Sequence, residues 1–241
     1  MRALLLLAML LCPDLARGGV PPPGQGVSAD EEARILRTIG QRTRRFMARH
    51  DGIADQRRVL TSEYDASSGL LLKTTLTEQD VVHHFYTRPD LTIRRCVIDG
   101  RPLPPKRCID EHQRMLPHIP VFDRHGPQNY QLRVGGTTTV DGQLCYRVIV
   151  HPRKNTPRHF KGQLLFRVRD LLLLRMEGTV AKLPFPVTHL VLKLTFRKYN
   201  EDLVAVSRGY IDVWIHVPLV LRRRIVTRYT AHGQRAVARP P

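Results

Sequence analysis

From Gly52 onward the apolar residues of this chain recur at every second position, and no other feature restricts its folding choices as much. Strand-like runs lie at about 56–65, 70–78, 80–88, 91–98, 128–135, 143–151, 160–168, 171–180, 187–199, 203–216 and 219–230. The alternation is cleanest in three of them. Tyr130, Leu132 and Val134 alternate with Asn129, Gln131 and Arg133; Phe160, Leu164, Phe166 and Val168 with Lys161, Gln163 and Arg167; Leu190, Leu192, Leu194 and Phe196 with Val191, Lys193, Thr195 and Arg197. Each run therefore has one oily face and one wet face. Turn residues stand between the runs: Ser67-Ser68-Gly69, Asp99-Gly100, Asp141-Gly142, Arg169-Asp170 and Asn200-Glu201-Asp202. Strands joined by short turns predict an antiparallel meander.

A one-sided sheet of this width has to curl around its oily face, which predicts a mainly β (α+β) fold: an unclosed β-barrel of about ten to eleven strands. Its expected lids are two helices. Ser28 and Glu31 form a capping-box pattern, with Asp30, Glu31 and Glu32 on the first turn of a helix over about 29–49. Ile35, Leu36, Ile39 and Phe46, with Met47, recur at helical spacing, and arginines fill much of the rest. Such a stripe can lie on an anionic membrane or cover a sheet, and the sheet is the preferred reading. Pro104-Pro105 precedes a shorter expected helix near 105–116. The cavity beneath the lids is expected to be lined by Leu132, Leu164, Phe166, Leu190, Leu192, Leu194 and Phe196, a surface suited to an acyl chain or another apolar ligand. Arg223, on the oily side of its strand between Leu221 and Ile225, is the expected rim or headgroup residue.

The N-terminus reads as a secretory signal: a basic start, the apolar run Ala3 to Leu11, and Ala16-Arg17-Gly18 as the cleavage site. Residues 1–18 are the expected signal, 19–27 a proline and glycine tether, 28–231 the folded domain and 232–241 a basic tail. Export to the periplasm permits disulfides. Cys96 and Cys108 close the shortest loop, worth on the order of 3 kcal/mol if bridged, with Cys145 left over; three buried thiols are the alternative.

Chemistry is sparse. No G-x-S-x-G, P-loop or G-x-G-x-x-G stands in the sequence, and Cys145 lies in an apolar strand where a structural role is the commoner one. His83 and His84 point to opposite faces of one strand and cannot easily share a metal, so neither metal nor cofactor is expected, and no catalysis. The formal charge is +18, with seven lysines and 32 arginines. Export argues against nucleic acid and leaves acidic envelope components as the alternative partner: anionic lipid, lipopolysaccharide or polysaccharide.

Four stretches carry a family likeness: Ile98-Asp99-Gly100-Arg101-Pro102-Leu103, Val140 to Val148, His151-Pro152-Arg153 and Met176-Glu177-Gly178-Thr179. With the order signal, tether, helix, meander, insertion and second meander, they resemble the LolA/LolB-type periplasmic lipoprotein-carrier superfamily, in its divergent outer-membrane lipoprotein-sorting branch. The resemblance covers about residues 28–230 and implies an unclosed barrel with a helical lid that shields lipid or lipoprotein acyl chains in transit to the outer membrane. It also implies an inner-membrane exporter, an outer-membrane acceptor and no enzymatic activity. It transfers no single functional residue.

Overall fold

The alternating runs become strands in a computed structural model that describes residues 26–85, 87, 89–108, 120–199 and 204–238. The expected signal, the tether up to position 25, positions 109–119 of the expected second helix and the last three residues of the tail lie outside the described residues. The elements in chain order are α1 (Ala29–Arg49), β1 (His50–Asp65), β2 (Leu71–His84), β3 (Asp90–Ile98), β4 (Arg101–Leu103), a 3₁₀ turn (Pro105–Cys108), α2 (Gly126–Asn129), β5 (Tyr130–Val140), β6 (Gln143–Pro152), β7 (Phe160–Arg167), β8 (Leu173–Val180), β9 (Val187–Lys198), β10 (Val204–Val217) and β11 (Leu221–Ala238).

All eleven strands form one antiparallel sheet, ordered β4-β3-β2-β1-β11-β10-β9-β8-β7-β6-β5, with β4 and β5 at its edges. It is an open sheet, as the sequence predicts. Two meanders are joined where β1 pairs with β11, so the first and last strands of the chain lie at its middle. Asp99-Gly100 and Asp141-Gly142 have positive φ at both residues, as a two-residue turn between right-twisted strands requires. The runs expected at 70–78 and 80–88 are one strand, β2, because no turn residue interrupts Glu78-Gln79-Asp80. The extra strand is β4, too short to show alternation. Residues 232–238, expected as tail, continue β11, since His50 to Ala54 extend the opposing ladder that holds them.

Register places one row of side chains across the whole sheet: Leu103, Cys96, Thr77, Val59, Tyr229, Gly209, Leu194, Met176, Leu164, Val148 and Val134. From Leu194 onward this row is apolar, and α1 lies on it. Ile35 and Ile39 pack into a cluster with Tyr130, Val134, Tyr146, Val148, Val150, Phe160, Leu164, Phe166 and Met176, each large side chain contributing about 1.5–3 kcal/mol on burial. Ser28 Oγ accepts from the Glu31 amide at 3.2 Å, but Glu31 does not complete the capping box. Its carboxylate accepts instead from Tyr146 Oη at 2.7 Å, fastening the helix to β6. Burial and that bond push the Tyr146 phenol up to about 12. Glu32 adds a second tie, accepting from the Val134 amide at 2.9 Å.

Candidate functional site

The oily face is largely filled by the molecule itself. Leu164 and Phe166, expected to line a cavity, are 3% and 4% exposed and are packed core beneath α1. Leu192, Leu194 and Phe196 are half-buried against the same cluster, whereas Leu190 lies beyond it. Of the four lid residues Ile35, Leu36 and Ile39 join this cluster. Phe46 sits at the far end of the helix, stacked 4.5 Å from the His50 ring and 5.9 Å from Phe85.

Space remains at the edge of this packing. A cleft of about 320 Å³ opens between α1 and edge strand β5, walled by Leu36 and Gly40 of the helix, Val121 and Phe122 of the preceding segment, and Tyr130 and Leu132 of the strand. Leu132 is the one expected lining residue found there. A Cβ at Gly40 would meet only the flexible end of Arg44, so open space stands on this side of the helix. Three charged residues reach the cleft. Asp123 is buried and accepts from the His125 amide at 2.9 Å. Arg153 donates from Nε to the Pro127 carbonyl at 3.0 Å. Arg44 is exposed and has no carboxylate partner among the described residues. Arg223 is elsewhere, half-buried and 4.0 Å from Asp65 beside the β1–β2 turn, so the rim cations of the cleft are Arg44 and Arg153.

The opposite face of the sheet carries a second and larger space, a groove of about 750 Å³. Two rows of side chains build it: Arg58, Thr230, Arg208, Thr195 and Arg175, and beside them Leu76, Leu60, Arg228, Tyr210, Lys193 and Glu177. Five cations thus face one carboxylate. Arg175 is engaged by Asp141 at 3.0 Å and by Glu177 at 3.7 Å, and the Arg228 guanidinium lies 5.8 Å from the Tyr210 ring centre. Arg58, Lys193 and Arg208 have no ion pair among the described residues. Sequence reasoning placed Lys193 and Thr195 on the wet face of their strand. The signal that the two rows share a groove is the coincidence of register across six strands, β1 and β2 with β8 to β11, which the sequence does not display.

A third polar group is structural. On β1 and β2, Arg57 donates to Asp55 through Nε at 2.6 Å and Nη2 at 2.8 Å, contacts His83 Nε2 and lies 4.8 Å from the Tyr229 ring centre. Burial, followed by the nearby Arg57 charge, lowers His83 to about 3. Cys96 and Cys108 are joined as a disulfide, and Cys145 is free and fully buried, its thiol pushed up by burial. Among the described residues no group of three His, Cys, Asp or Glu is placed to hold a metal ion, and no helix is long and apolar enough to cross a membrane.

No protein-family model matches the chain, and no curated protein matches it in sequence. Solved structures do resemble it. A LolA superfamily protein from Nitrosomonas europaea is 9% identical, with 86% of this chain and 94% of that one covered at a TM-score of 0.44. An outer membrane lipoprotein-sorting protein domain from Vibrio parahaemolyticus is 11% identical, covering 87% and 93% at 0.44. A DUF1329 family protein from Desulfovibrio piger is 12% identical, covering 84% and 90% at 0.41. At these identities and scores none of them assigns a function or a site residue to this chain.

Proposed function

We propose that the chain is a non-enzymatic carrier of the periplasm that holds an acyl chain of an anionic lipid, or of a lipoprotein, in the cleft between α1 and β5. The observation that carries the proposal is the make-up of that cleft: walls of Leu36, Val121, Phe122 and Leu132, with Arg44 and Arg153 at its polar side. An acyl chain removes apolar wall from water, and an anionic headgroup beside Arg44 supplies the partner this arginine lacks. Helix α1 is the movable wall. Its N-terminal half is tied to the sheet by Glu31 and Glu32, while Gly40 weakens the helix midway by roughly 1 kcal/mol relative to alanine, which suits a lid that bends to admit cargo. Transit to the outer membrane, with an exporter and an acceptor at either end, is the role proposed for such a carrier.

Native mass spectrometry of protein purified from a bacterial envelope fraction tests this reading. A co-purified acyl lipid, lost in Leu132→Asp but retained in Lys193→Asp, supports it; a protein that never carries lipid contradicts it.

The basic groove favours a second reading, a module that binds acidic envelope polymers. In that case Arg208→Glu abolishes retention on an anionic polysaccharide and the cleft variants do not.

A further inference from the structure

The described residues include ten large apolar side chains that are more than a third exposed, and seven of them gather at one end of the sheet. They stand on three hairpin turns. Leu70, Leu71 and Leu72 follow the β1–β2 turn, Phe185 lies on the β8–β9 turn and is 83% exposed, and Leu219 and Val220 form the β10–β11 turn. Trp214 lies one short stretch of strand behind that last turn.

Register shows that these turns are neighbours, because β2-β1, β11-β10 and β9-β8 are consecutive in the sheet. Backbone bonds link them: the Ala66 amide donates to the Arg222 carbonyl at 3.2 Å, and the His216 amide to the Pro186 carbonyl at 3.1 Å. Leu219 holds a positive φ of 63°, a conformation an apolar branched residue adopts at a cost, and its side chain gains no burial in return.

Cations surround the turns. Arg222 and Lys182 are exposed and have no ion pair among the described residues. Arg224 is bonded to Asp212 at 2.7 Å and lies 5.4 Å from the Trp214 ring centre. The acids here are engaged. Asp65 accepts from the Ser67 and Ser68 amides at 3.0 and 2.9 Å, and Glu63 faces Lys73 at 3.5 Å.

We propose that these three hairpin turns form a docking surface for an anionic phospholipid bilayer. Apolar side chains at the tips enter the acyl boundary, while Trp214, set back from the tips, and the arginines behind them meet the headgroups; this is the order of side chains a membrane interface selects. Charge favours an anionic surface over a second copy as the occupant, since two chains of +18 meeting end to end repel. The inference does not rest on the cleft, which opens against edge strand β5, three strands beyond β8 in the sheet.

Trp214 is the only tryptophan of the chain, so its fluorescence reports on this end alone. The full chain is titrated with vesicles of phosphatidylcholine and phosphatidylglycerol, with bromine-labelled acyl chains as quencher, and with phosphatidylcholine alone. The expected result is a blue shift and quenching on the anionic vesicles, weakened about tenfold or more by Phe185→Ser with Leu219→Asn and Val220→Ser. Arg222→Glu weakens it about fivefold, and Arg197→Glu, exposed near the opposite end of β9, leaves it unchanged. The substituted residues are exposed, and an unchanged unfolding midpoint verifies that the fold is intact. The proposal is overturned if Trp214 does not respond to anionic vesicles, if the tip variant binds as well as the parent, or if the blue shift occurs without lipid in a sedimenting dimer. Acyl loading of the cleft, measured on the same tip variant, is expected to persist, which keeps the two proposals separable.

Discussion

One face of one sheet is stabilised in two different ways, and the boundary runs near its middle. On β5 to β9 the face is apolar and α1 covers it. On β1, β2 and β11 the same face holds Asp55, Arg57, Gln79, His83 and Tyr229, with the Asp55 and Arg57 side chains only 3% and 13% exposed. Hydrophobic burial needs no partner and tolerates repacking, whereas a buried charge is tolerable only while its counter-charge is in place. The apolar half therefore tolerates changes in how its side chains pack. The polar half cannot rearrange and acts as the fixed centre to which both meanders are pinned.

The largest effect is expected from breaking the polar half. Asp55→Ala leaves Arg57 buried without its carboxylate and should cost about 3–5 kcal/mol in urea unfolding, while Asp55→Ala combined with Arg57→Leu should recover most of that loss. In the apolar half, Leu164→Ala should cost about 2–5 kcal/mol, and Leu192→Ala, at the half-buried margin of the cluster, less than about 1.5 kcal/mol. Equal losses at the two leucines would show that the face is uniformly packed to β9.

Acid should separate the halves more gently. His83 is held neutral in the fold down to about pH 3, but the unfolded chain protonates it near 6.5. Unfolded molecules then bind the extra proton, so stability falls as pH drops from about 6.5 toward 3 and is flat in this respect below. The slope is at most about 1.4 kcal/mol per pH unit for one group. Subtracting the pH profile of His83→Gln from that of the parent isolates it. A difference that does not change across this window would mean that His83 is free to protonate in the fold.

Much of the architecture was legible in the sequence. Alternation at Leu190 to Phe196, the Asp-Gly turns and the Ser28 cap each act over a few residues, so the sequence displays them directly. The row from Leu103 to Val134 depends instead on pairing between strands far apart in sequence, above all β1 with β11, and no local pattern encodes it. The site was less legible for the same reason. Leu132 and Leu36, named from strand and helix periodicity, both line the cleft, but Arg44 and Arg153 come from a helix and a strand end that meet only through folding, and Arg223 lies away from it beside Asp65. The pairing of Arg223 with Asp65 depends on the β1–β11 register, which no local pattern displays.

The most direct test of the carrier account is saturable binding of a long-chain fluorescent fatty acid to the parent and to Gly40→Phe, whose ring would fill the cleft from the helix side. The account predicts one saturable site in the parent, about tenfold or more weaker in Gly40→Phe at an unfolding midpoint close to the parent's. Equal binding by the two proteins, or no saturable binding by the parent, would contradict it.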